Sequence, residues 1–134
     1  MVVFYRRMPR FEYLKPQRFE DVLELLQDST PNRYRVFAGG TDLMDQLKQR
    51  KIDVPETVID LKGVTELDFI NFDKSSGLRI GALTTVADVA KSPEIEEHYP
   101  ALAQGAREIA SIQIQNRATI TGNICNAVSS ADSA

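Results

Sequence analysis

Val36-Phe37-Ala38-Gly39-Gly40-Thr41-Asp42-Leu43 is the stretch on which the fold turns. Residues 34–38 read as a short strand, and Leu43, Met44 and Leu47 line one side of a helix that follows. Lys48, Arg50 and Lys51 gather near the end of that helix, where cations suit the negative end of its dipole. Past Val54-Pro55, residues 57–61 form a second strand, so strand, helix and strand make a parallel crossover unit. Two glycines between a strand and a helix start expose backbone N–H groups with no Cβ in the way. Such a turn attracts anions, above all a phosphate pair. Thr41 adds a hydroxyl donor. Asp42 would repel a phosphate, so it suits a helix cap or an acceptor for ribose or amide donors. By themselves these residues read more simply as a glycine-permitted turn capped by Thr41 or Asp42.

Upstream, Lys15-Pro16 opens a helix with apolar residues at Phe19, Val22, Leu23 and Leu26, the spacing of a buried stripe. Residues 28–32 have turn chemistry and stop it. Downstream the pattern changes. Residues 67–72 and 78–82 alternate on either side of Asp73-Lys74-Ser75-Ser76-Gly77 and read as an antiparallel hairpin. Thr85 precedes a helix from about Val86, with Asp88 at capping-box spacing. Pro93 and Pro100 punctuate two further helical pieces, the second over residues 101–110. The class is mixed α and β in two small lobes: a parallel βαβ lobe over residues 1–62, and a mixed or antiparallel lobe over residues 63–134.

Residues 118–134 are rich in Thr, Ser, Asn and Gly and read as a polar loop with no closing helix or strand. The expectation is therefore a fold incomplete at its C-terminus. Within it, Thr119, Thr121, Gly122, Asn123 and Asn126 form a second compact group of donors. The simpler reading is again a turn that satisfies its own backbone.

The remaining features exclude more than they suggest. A net charge of -3 with no basic tract argues against nucleic acid. No apolar run approaches a membrane span, and no apolar segment follows the basic start, so neither a span nor a signal peptide is expected. One cysteine, Cys125, and one histidine, His98, cannot form a disulfide framework or a His/Cys metal site, which suits a reducing, cytoplasmic setting. Cys125 reads as a small buried residue, since no histidine pairs with it. His98, beside Glu96 and Glu97, reads as solvated, and the run with Glu94 as a solvated helix start. No nucleophile–base pair or carboxylate dyad emerges, so no catalytic residue is assigned.

Taken in order, four segments resemble a known family. They are Phe11-Glu12-Tyr13-Leu14-Lys15-Pro16 with Phe19-Glu20-Asp21-Val22; Ala38-Gly39-Gly40-Thr41-Asp42-Leu43; Leu78-Arg79-Ile80-Gly81-Ala82-Leu83-Thr84-Thr85; and Ile109-Ala110-Ser111 with the run from Gln113 to Ala127. Together they resemble the FAD-binding subunit of the molybdenum hydroxylases, the xanthine dehydrogenase family, over essentially the whole chain. The resemblance implies an α+β, two-lobed FAD-binding domain. Val36, Phe37, Ala38, Gly39, Gly40, Thr41 and Asp42 would wrap the diphosphate, with Gly39 and Gly40 approaching closest. Thr119, Thr121, Gly122 and Asn123 would contact the phosphates and ribityl chain, Asp132 the ribose, and Ile109 and Ala110 the adenine.

The implied activity is electron transfer from a partner's iron–sulfur clusters through FAD to NAD+ or another acceptor, with hydroxylation on a separate molybdopterin subunit. An alternative is a truncated or split module that binds nucleotide only with a C-terminal flavoprotein continuation. A third is a different FAD enzyme on the same fold. Thr121 stands where the family has a glycine, a cost of about 1 kcal/mol or more if that position needs a positive φ or a close backbone approach.

Overall fold

The computed structural model describes residues 7–126. The chain divides into two compact units, Met1–Val64 and Thr65–Ala134. The first is built on a parallel sheet of β1 (Glu12–Leu14), β2 (Tyr34–Phe37) and β3 (Thr57–Asp60), in the order β1-β3-β2. Flanked on both edges, β3 is buried at all four residues, as a continuous Thr-Val-Ile-Asp run without polar alternation suggests. The crossover helix α2 (Thr41–Gln49) joins β2 to β3 and anchors itself through Leu47, which is fully buried. In register, Tyr34 stands opposite Thr57 and Phe37 opposite Asp60. β1 adds a third parallel strand that the sequence pattern does not announce, all three of its residues being exposed.

Helix α1 (Phe19–Leu26) forms where expected, but its apolar stripe does not go inside. Only Val22 is buried, while Phe19, Leu23 and Leu26 are 37%, 48% and 41% exposed. The helix turns inward along Val22 and the half-buried Leu25. Leu23 follows Val22 by about 100° around the axis, so burying one turns the other toward the rim.

The second unit opens with the expected hairpin, β4 (Ile70–Asp73) against β5 (Gly77–Ile80). Its turn is organised by Asp73, whose Oδ1 accepts from the Ser75 N–H at 2.8 Å and the Ser76 N–H at 3.1 Å. The Ser75 hydroxyl and these amides hold the Asp73 carboxyl down to about 2. Five helices follow: α3 (Val86–Lys91), α4 (Pro93–His98), α5 (Pro100–Glu108), α6 (Ile112–Gln115) and α7 (Ile120–Asn126). Thr85 caps α3, accepting from the Asp88 N–H at 3.1 Å, as its spacing predicts. Ser92 caps α4, and Pro93 occupies the first turn, where its missing N–H costs nothing.

One core holds this unit together, formed by Val86 and Val89 of α3, Ile95 of α4, Ala103 and Ala106 of α5, and Ile109, Ala118 and Ile120. Ile70, Leu78 and Ile80 of the hairpin pack against it. Two expectations are corrected here. Residues 120–126, read as an open polar loop, are helical, and Cys125, read as buried, is exposed. His98 is exposed, its ring stacked on Phe72 with centroids 3.9 Å apart. No helix among the described residues is long and apolar enough to cross a membrane.

Candidate functional site

The parallel sheet determines where the first loop lies. At the C-terminal end of β2 the chain leaves through Ala38 and Gly39, turns at Gly40 and enters α2 at Thr41. This end of a parallel strand is where ligands of open α/β sheets bind. Gly40 is the N-cap, with φ 77° and ψ 6°, and no side chain caps the helix. Neither Thr41 nor Asp42 takes the capping role that the simpler reading of the loop gave them. The first backbone N–H groups of α2 therefore lack the usual side-chain acceptor, and the positive end of the helix dipole is left for an anion. Gly40 is required twice over. Its left-handed backbone disfavours any L side chain, and a Cβ there would lie 1.8 Å from a Phe37 ring carbon. Asp42 is exposed in the first turn, a favourable place for a carboxylate.

Beneath this loop sits a polar cluster that the sequence reading did not single out. Asp60, at the end of β3, is 2% exposed. Its Oδ1 accepts from the Lys62 backbone N–H at 2.9 Å and from Lys62 Nζ at 2.8 Å, and its Oδ2 accepts from the Tyr13 hydroxyl. Burial pushes the Asp60 carboxyl up, but the donors from Lys62 and Tyr13 outweigh it, and the net shift is downward. The same contact with Asp60 raises Tyr13. Lys62 Nζ also donates to the Ala38 carbonyl at 3.0 Å and lies 3.6 Å from the Phe37 ring centroid, a cation–π contact. The signal that could have found these residues is the strand pairing, which sets Asp60 opposite Phe37.

In the second unit, Thr119 is 4% exposed and bridges to Thr85. Its Oγ1 accepts from the Gly122 N–H at 3.0 Å, and its carbonyl accepts from the Asn123 N–H at 3.0 Å. Thr119 thus caps α7, and Thr121, Gly122 and Asn123 make the first turn of that helix. Thr121 has no positive φ, so a left-handed backbone penalty does not arise there. Ile109 points into the core, being 7% exposed, while Ala110 is exposed and left-handed at φ 44°. Gln115 Nε2 braces this bend by donating to the carbonyls of Arg107 at 3.0 Å and Ile109 at 2.9 Å. The segments around residues 109 and 120 are held together, since Ile109, Ala118 and Ile120 share one core. Asp132 lies outside the described residues. No group of three His, Cys, Asp or Glu residues that could hold a metal exists among the described residues. A cavity of about 570 Å³ bounded by Tyr34, Arg35, Arg50 and Lys51 lies at the other end of β2, away from the glycine pair.

A parallel unit with a glycine-started helix, joined in sequence to an antiparallel hairpin with its own helices, defines an α+β domain of two separate sheets. The chain belongs to the family described as FAD binding domain in molybdopterin dehydrogenase, which it matches over residues 9–134. It is 37% identical over 122 residues to the xanthine dehydrogenase FAD-binding subunit of Escherichia coli O157:H7, covering 91% of this chain and 41% of that protein. It is 36% identical over 118 residues to the carbon monoxide dehydrogenase medium chain of Hydrogenophaga pseudoflava, covering 88% and 40%. Among solved structures, carbon monoxide dehydrogenase from Hydrogenophaga pseudoflava lacking the Mo-pyranopterin moiety superposes with a TM-score of 0.81 at 36% identity. That match covers 88% of this chain and 40% of the other. The chain thus spans about two fifths of the length of the relatives it matches.

Proposed function

We propose that this chain binds FAD as part of the electron-transfer flavoprotein subunit of a molybdenum hydroxylase-type oxidoreductase. The observation that carries the reading is the start of α2, which has a left-handed glycine as N-cap and no side-chain cap, inside a chain that matches the FAD-binding family. A diphosphate is the chemistry this terminus fits: backbone donors, a helix dipole and no obstructing Cβ. Val36, Phe37, Ala38, Gly39, Gly40, Thr41 and Asp42 would form the diphosphate loop. Thr119, Thr121, Gly122 and Asn123 would supply contacts to the phosphates and ribityl chain, Ile109 and Ala110 the wall beside the adenine, and Asp132 an acceptor for the ribose. Since the Ile109 side chain is in the core, its part would be played by its backbone and by the bend at Ala110.

When bound, the flavin supplies electron transfer between the iron–sulfur clusters of a partner subunit and NAD+ or another acceptor. The chain's own residues bind and orient it. Substrate oxidation would belong to a molybdopterin-carrying partner.

The test is the visible absorption spectrum of the purified chain, before and after incubation with FAD and removal of free cofactor. Flavin bands retained at near one per chain are the expected outcome. Retention only when the chain is supplied with the remainder of a relative's flavoprotein subunit would favour the alternative, a module that binds nucleotide together with a C-terminal continuation. No retention in either form would overturn the assignment.

A further inference from the structure

The Ala38–Gly39 peptide is the hinge of the phosphate loop, and one side chain holds it. A planar trans peptide points its C=O and its N–H in opposite directions, and no peptide bond among the described residues is cis. Whatever fixes the Ala38 carbonyl therefore fixes the Gly39 N–H on the opposite side. Lys62 Nζ donates to that carbonyl at 3.0 Å. The ammonium is itself held by Asp60 Oδ1 at 2.8 Å and by the face of the Phe37 ring. Asp60 cannot swing away, because it is buried and also receives the Tyr13 hydroxyl and the Lys62 backbone N–H. A glycine follows the peptide, so nothing steric in the loop would stop it from flipping.

We propose that Lys62 is a positioning residue that latches the Ala38–Gly39 peptide with its carbonyl turned inward, so that the Gly39 N–H is preset toward the diphosphate. This rests on the FAD reading above. The latch does not need to touch the cofactor. It acts by removing the conformational search that a bare Ala-Gly-Gly turn would otherwise make on binding. Asp60 and Tyr13 keep the latch in place, which is why a carboxylate is buried at the end of β3 instead of an aliphatic residue.

The experiment compares the chain with Lys62→Met, Lys62→Arg and the double variant Asp60→Asn/Lys62→Met, which leaves no unpaired buried charge if the single variant fails to fold. Two quantities are read: the Gly39 amide resonance in the free chain, by relaxation dispersion, and the FAD dissociation constant at low and high salt. With the latch gone, the Gly39 amide shifts and broadens from exchange between the two peptide orientations. FAD then binds about tenfold more weakly, the scale of one lost charge-assisted hydrogen bond. Lys62→Arg restores both, since a guanidinium can bridge the same carbonyl and carboxylate. The weakening persists in high salt, because it is conformational.

A Gly39 amide unchanged in both Met variants overturns the proposal. So does a loss of affinity that disappears in high salt, which would assign Lys62 to simple charge attraction. A wild-type chain whose Gly39 amide ignores saturating FAD sinks the FAD reading instead, and the amide behaviour of the free chain then decides the latch alone.

Discussion

The loop at residues 38–41 and the turn at residues 119–123 both bring small residues, hydroxyls and a glycine to the start of a helix, yet they are built in opposite ways. In the first, the N-cap is a glycine with no side-chain acceptor, and the order of the loop is imposed from below by Phe37 and Lys62. In the second, Thr119 satisfies the helix start itself, taking the Gly122 N–H on its hydroxyl and the Asn123 N–H on its carbonyl. Both N-cap carbonyls accept the first intrahelical N–H, from Met44 at Gly40 and from Asn123 at Thr119, so the difference is one side-chain cap: Thr119 has taken the Gly122 N–H, and α2 has no such acceptor. The difference also separates the glycines. Gly40 is locked into a left-handed conformation against an aromatic ring, whereas Gly122 lies in an ordinary helical turn with only the Thr119 hydroxyl near its missing Cβ. Glycine content therefore does not identify a phosphate loop. What matters is whether the helix start has already been capped.

The largest effect that would sharpen this contrast is at Gly40. Gly40→Val should cost about 1–2 kcal/mol for a left-handed L residue and about 1–3 kcal/mol more for displacing the Phe37 ring. Urea unfolding should record a loss of several kcal/mol, together with loss of bound FAD. Gly122→Ala should differ by no more than about 1 kcal/mol from wild type, since helix propensity favours Ala by about 1 kcal/mol while the Thr119 hydroxyl must shift. Equal losses at the two glycines would break the comparison.

Next in size is Asp60→Ala. Breaking a buried ion pair costs about 3–5 kcal/mol, but the Lys62 side chain is 33% exposed and so partly solvated, which brings the expectation to about 2–3 kcal/mol. The pH dependence has a definite sign. The Asp60 carboxyl is lowered in the folded state, so its contribution is complete above the ordinary carboxylate range and is lost as pH falls through the lowered folded value. Tyr13 runs the other way: raised in the folded state, it contributes below its ordinary value and is lost as pH rises through the folded one. Stability curves from pH 2 to 7 should show a shallower acid limb for Asp60→Asn than for wild type. Parallel limbs would mean that Asp60 is not the group that titrates.

Much of this architecture was legible in the chain. The crossover from residue 34 to residue 60 shows in its strand–glycine–helix–strand pattern, and the hairpin shows in its alternation around Asp73-Lys74-Ser75-Ser76-Gly77. The family resemblance supplied the cofactor and the α+β class, which spacing alone left open. β1 was not legible, because three exposed residues carry no periodic signal. The α1 stripe was legible as a period but not as a direction, since burying Val22 and Leu25 leaves Phe19 and Leu23 near the rim. Helix α7 was hidden by Thr, Gly and Asn, all weak helix formers, and it is held by a buried cap and by Ile120 in the core. Tyr13, Asp60 and Lys62 escaped notice for a topological reason. Asp60 and Lys62 are neighbours in sequence, but Tyr13 on β1 and Ala38 after β2 reach them only because β3 lies between β1 and β2.

The smaller predictions concern the second unit. Thr119→Ala should cost about 1 kcal/mol, the usual value of an N-cap, seen as a lower Tm and a loss of helical circular dichroism. A loss as large as that of Gly40→Val would mean that this turn, too, is imposed from outside. Smallest is Ala110→Gly, and it has the opposite sign. Ala110 is exposed at φ 44°, in the bend braced by Gln115, so it gives up little packing and carries a left-handed penalty of about 1–2 kcal/mol. Glycine removes that penalty but brings an entropic cost of about 0.5–1 kcal/mol. The net expectation is a gain of about 0.5 kcal/mol in urea unfolding. If FAD affinity falls in this more stable variant, the bend at Ala110 is held strained for the cofactor's adenine. If affinity is unchanged, the strain belongs to the packing of α5 against α6 alone.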